Sequence, residues 1–128
     1  MSYGTRYSRH RGWWGYMKFI VRKYGFLHDK PVEGLERREM EAVGRALDST
    51  LKLRDGRNRA ELIELVIWKR SHNLQGAAMK LGVSERTALR WHGDFIKAVA
   101  REFFGEEAFE YEKRIKAEEE DHGNQSQA

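Results

Sequence analysis

The chain has no cysteine and one proline among 128 residues. Without cysteine there are no disulfides and no thiolate metal sites, which fits a reducing compartment. With Pro31 alone, little interrupts a helix anywhere else. No apolar run approaches the roughly 20 residues of a membrane span, and the opening Met-Ser-Tyr-Gly-Thr-Arg lacks the apolar core of a signal peptide. A cytoplasmic protein with no membrane partner is expected. A glycine-rich phosphate loop is also missing, and His10, His28, His72, His92 and His122 are scattered without metal-ligand spacing. The carboxylates mostly stand among cations at helix-surface spacing. These absences predict no catalytic residue, no metal and no cofactor.

What is present is charge, unevenly placed. The net charge is only +4, but residues 1 to 31 hold seven Lys or Arg against Asp29 alone. Residues 102 to 128 hold nine acids against Lys113, Arg114 and Lys116. Two oppositely polarised ends around a mildly basic middle suggest a basic arm and an acidic tail.

The length suits one helical core. Residues 1 to 12 show no periodicity and are expected to form a flexible arm, with Arg6, Arg9 and Arg11 as phosphate-seeking side chains. From Trp13 to about residue 105 a helical domain is expected. Trp13, Tyr16, Met17, Ile20 and Tyr24 fall on one helix face, and Gly25 can close that helix. Pro31 can open a second, with Leu35, Val43, Leu47 and Leu51 as its apolar stripe and Asp55-Gly56 as its end. Asn58 with Glu61 resembles a capping box for a third, whose body Leu62 to Trp68 is apolar almost all round and should be buried. Residues 106 to 128 read as an acidic helix with a thin apolar line (Ala108, Tyr111, Ile115) and a disordered tail. The aromatic residues Tyr3, Tyr7, Trp13 and Trp14 are interleaved with the arm's cations. They can stack on bases, although Trp13 and the aromatics after it fit a core better.

The stretch from Asn73 to His92 is the most specific. Ala78 is small where two helices cross, Gly82 can take the left-handed conformation that ends the first helix, and Val83 plugs the turn from inside. Ser84 is an N-cap, and Ala88, Trp91 and Phe95 form the inward stripe of the helix that follows. This spacing predicts an all-α protein with a C-terminal helix-turn-helix at 73 to 92 and a long recognition helix from Glu85 to about Phe104, about 30 Å. Its far half, with Ile96, Val99 and Phe103, must pack on something. In this motif Glu85, Arg86, Leu89 and Arg90 would face base edges in the major groove, while Gln75, Lys80, Ser84 and Thr87 would contact the backbone. The plainer account is a helical hairpin using the same turn chemistry for packing alone.

Leu62 to Phe103, with Val66-Ile-Trp68 ahead of Gly-Ala-Ala-Met-Lys-Leu-Gly-Val-Ser and Arg90-Trp91 after it, resembles the C-terminal half of phage late-gene transcriptional regulators of the RinA and ArpU type. It is more distantly similar to sigma-factor region 4. The resemblance covers about a third of the chain and implies an all-helical activator that binds double-stranded DNA near a promoter in the cytoplasm of a bacterial host. RNA polymerase and a second copy of the chain are then candidate partners. Two other functions fit the same features. One is the small subunit of a phage DNA-packaging terminase, which would form large closed rings. The other is a protein-interaction module that keeps the fold without binding DNA.

Overall fold

The computed structural model describes residues 2–105, with side chains from residue 13 onward. The acidic helix and tail expected at 106–128 lie outside the described residues. Five α-helices follow one another: α1 (Ser2–Leu27), α2 (Gly34–Leu51), α3 (Gly56–Ile63), α4 (Leu74–Leu81) and α5 (Glu85–Phe104). A single π-helical turn, Glu64–Trp68, continues α3. Among the described residues there is no strand.

The first helix starts earlier and ends later than the sequence predicts. Its backbone is helical from Ser2, through the stretch expected as an arm, because no proline interrupts propagation once Trp13 to Tyr24 are anchored. It also passes Gly25 and ends at Leu27. Gly25 serves a different purpose: a Cβ there would lie 3.0 Å from Trp68 Cδ1, so the missing side chain admits the indole against the helix. Trp68 Nε1 donates to the Val21 carbonyl at 2.8 Å, and its ring meets Tyr24 and Phe95.

The stripe expected on α2 is rotated. Val43 is fully buried, but Leu35 and Leu51 are 56% and 48% exposed. The inward face is Glu39, Met40, Ala42, Val43, Ala46 and Thr50. Glu39 is tolerated inside because its two carboxylate oxygens are each satisfied, one by Tyr16 Oη at 2.6 Å and the other by Lys23 Nζ at 2.6 Å. This cluster ties α1 to α2. It also pushes the Tyr16 phenol up to about 12, chiefly through burial and then through its bond to the carboxylate.

The capping box expected at Asn58 does not form. The cap position falls three residues earlier, at Asp55, which turns through the left-handed region (φ 59°) before the helix starts at Gly56, so Asn58 lies within α3. Gly56 is buried, and a Cβ on it would collide with the carbonyl of Leu51.

Two cores explain why Leu62 to Trp68 is apolar nearly all round. One gathers Met17, Ile20, Val21, Val43, Ile63, Phe95, Ile96 and Val99, with Ile67 and Trp68 against it. The other gathers Leu62, Leu65, Ala77, Ala78, Ala88 and Trp91, with Val66, Leu81 and Val83 against it. The segment is the wall between them, offering Ile63, Ile67 and Trp68 to one side and Leu62, Leu65 and Val66 to the other. In the π-helical turn the Lys69 N–H reaches back to Glu64 at 2.7 Å, and the Ser71 and His72 N–H groups both meet the Leu65 carbonyl. Helix α5 spans both cores, which is where the packing demanded by its length is found.

Candidate nucleic-acid interface

The joint between α4 and α5 is built from local hydrogen bonds. Asn73 caps α4 by accepting the Gly76 N–H at 2.7 Å. Gly82 ends it at φ 71°, and the Val83 N–H bonds the Ala78 carbonyl at 3.0 Å while its side chain packs on the second core. Ser84 Oγ caps α5 by accepting the Thr87 N–H at 3.0 Å, and it also donates to Thr87 Oγ1 at 2.9 Å. The Ser84 proton is therefore engaged within the joint, while the Thr87 hydroxyl accepts it and keeps its own proton.

Inside the joint, Ala78, Ala88 and Trp91 are buried. Trp91 is clamped from its outer side by Arg59, whose guanidinium stands 5.4 Å from the ring centroid. Arg59 in turn bonds Asp94 at 3.2 Å and the Arg54 carbonyl at 3.1 Å, so one side chain links α3 to α5. Nothing in the spacing of the sequence marks Arg59 for this role. His92, half-buried on the same helix, is held below the usual histidine range by burial and secondarily by Lys18.

The outer surface carries the residues expected to meet DNA. Glu85, Arg86, Leu89 and Arg90 are all exposed on the first two turns of α5, Leu89 to 61%. Gln75 and Lys80 are exposed on α4, as is Ser84 in the turn, while Thr87 is half-buried. Arg86, Thr87, Leu89 and Arg90 line one groove, and Ser84 is bonded to Thr87 at its edge. Arg6, Arg9 and Arg11 lie on the first turns of α1, and their side chains are outside the described residues.

Five of the described cations are held in ion pairs away from this surface. Lys23 pairs with Glu39, Arg37 with Glu41, Arg45 with Glu102, Arg59 with Asp94 and Lys69 with Glu64. By contrast Lys80, Arg86, Arg90 and Lys97 have no ion-pair partner among the described residues. These four exposed cations lie on α4 and α5, with Glu85 the exposed acid on the first turn of α5. Lys97 lines the same groove as Arg86 and Arg90, and Met79 is 77% exposed beside Lys80; neither was singled out by the sequence pattern. For Lys97 a signal exists, since it stands eleven residues from Arg86, three full helical turns further along.

Comparison with known protein families, characterised proteins and solved structures found no match.

Proposed function

We propose that the protein is a sequence-specific regulator of transcription that binds double-stranded DNA through α4 and α5 as a helix-turn-helix. The observation that carries this function is the pair Arg86 and Arg90, exposed and unpaired on the opening turns of a helix whose inner face is locked by Trp91. A guanidinium with its donors free can take the two acceptors of a guanine edge, and a helix fixed from behind aims it. Leu89 adds an apolar contact of the kind that meets a thymine methyl, and Lys80, Thr87 and Gln75 supply donors for phosphates. A role as activator of phage late genes rests on the resemblance of Leu62 to Phe103 to such regulators.

The test begins by sequencing genomic fragments retained on the immobilised protein, followed by anisotropy titrations on the selected duplex and on a scrambled one. Arg86→Ala and Arg90→Ala should each weaken the selected duplex by about 1 to 3 kcal/mol and the scrambled one much less. Equal losses on the two duplexes would remove these arginines from base readout.

A further inference from the structure

The row of cations on α5 does not stop where a major-groove contact would. At 100° per residue Arg86, Arg90, Gly93 and Lys97 fall within about 60° of one another, a single line along the helix. From Arg86 to Lys97 that line rises about 16 Å, more than the major groove's width of about 12 Å, so in a helix that enters the groove end-on with Arg86 at the bases, Lys97 stands at the level of the bordering strand. At the gap left by Gly93 a different residue fills in. Trp14 of α1 approaches there, its Cη2 3.7 Å from where a Cβ on residue 93 would be, and it is braced edge-on by Trp13 at 5.7 Å. Trp14, Arg90, Gly93, Asp94 and Lys97 together line a groove of about 470 Å³ that also reaches Arg86 and Leu89. The one acid on that lining, Asp94, is turned to Arg59.

We propose that this groove seats the sugar-phosphate backbone of the duplex next to the base pairs read by α5, with Lys97 on a phosphate and the Trp14 ring against the sugars. The inference deepens the DNA-binding function proposed above and rests on it. The far end of the groove, at Lys97 and Trp14, contributes affinity and register without base information, because its donor is a lysine with three rotatable N–H bonds and its aromatic face is indifferent to sequence. It also makes α1 part of the interface rather than a support for it.

Lys97→Gln and Gly93→Asp test the proposal in the full chain, since neither position is buried in the two cores and a Cβ at 93 meets only ordinary contact. On the selected and the scrambled duplex alike, Lys97→Gln should lower the slope of log K against log salt by about 0.9, one phosphate, and leave the ratio of the two affinities unchanged. Phosphate ethylation beside the selected site should block the intact protein and cease to block Lys97→Gln. Gly93→Asp should weaken both duplexes. Unaltered slope and ethylation pattern in Lys97→Gln would overturn the groove while leaving base readout standing, provided Arg86→Ala still loses the selected site. An intact protein with no salt-dependent duplex binding would remove the DNA function and the groove together. If Gly93→Asp instead weakens a single strand and spares the duplex, the groove holds unstacked bases and the assignment to duplex backbone is wrong.

Discussion

Glycine to alanine inside a helix is ordinarily stabilising, by about 0.5 to 1 kcal/mol, because the unfolded chain loses freedom it no longer has to give up. At Gly56 the sign should reverse. The first residue of α3 is pressed against the end of α2, so that an added Cβ would meet the Leu51 carbonyl oxygen and would stand 2.7 Å from Leu51 C and Thr50 O. Those are backbone atoms in a tight loop already closed by the Gly56 N–H to the Leu53 carbonyl at 2.9 Å, and no rotamer change can clear them. Forced backbone shifts of this kind cost about 1 to 3 kcal/mol. For a chain of this size that lowers the melting point by about 4 to 12 °C. Gly44→Ala provides the opposite case on the neighbouring helix, where the nearest atom to a new Cβ is Tyr24 Oη at 3.9 Å, an ordinary contact. It should raise the melting point by about 2 to 4 °C. Thermal melts of the two variants followed by circular dichroism decide the matter. If Gly56→Ala melts at or above the unsubstituted chain, α3 does not abut α2 as described.

Trp91→Ala should cost about 3 to 5 kcal/mol in a denaturant titration, since it empties a buried aromatic site and releases the guanidinium of Arg59; an unchanged midpoint would place the ring outside the core. Tyr16, raised to about 12 against 10 in the unfolded chain, contributes stability that is fully present below pH 10 and lost as pH climbs toward 12. Alkaline melts of the intact chain should fall across that interval more steeply than those of Tyr16→Phe, and identical curves would detach the phenol from Glu39. His92 has the opposite sign: its folded pKa is depressed by burial, so the stability it contributes is present above 6.5 and lost as pH falls below it. His92→Gln should flatten the acid side of the stability profile, and an NMR titration of the ring at or above 6.5 would refute the burial.

Local chemistry was the part of this fold written openly in the sequence. The Ser84 cap, the left-handed Gly82 and the inward Trp91 each follow from a residue and its near neighbours, and each is found in place. What the sequence concealed depends on partners far along the chain. Glu39 turns inward only because Tyr16 and Lys23 stand 23 and 16 residues away, and that rotation is what leaves Leu35 and Leu51 outside. Gly25 has the same appearance whether it ends a helix or admits an indole, and only the position of Trp68 distinguishes the two. The π-helical turn has no residue signature, since it follows from one segment serving two cores. At the candidate interface, Arg86 and Arg90 were legible from spacing, whereas Trp14 beside Gly93 required α1 to be laid across α5.

The division of α5 between an inner face shared by two cores and an outer face that touches neither has a consequence for how this protein can change. Ala88, Trp91, Phe95, Ile96, Val99 and Ala100 carry the packing, so substitutions there are tested by the stability of the whole chain. Positions 85, 86, 89 and 90 bear none of it, and replacing their side chains alters the surface without disturbing either core. Lineages can therefore vary the chemistry of this face at these four positions at little thermodynamic penalty. The same separation makes them positions at which a library of surfaces can be built without losing the fold.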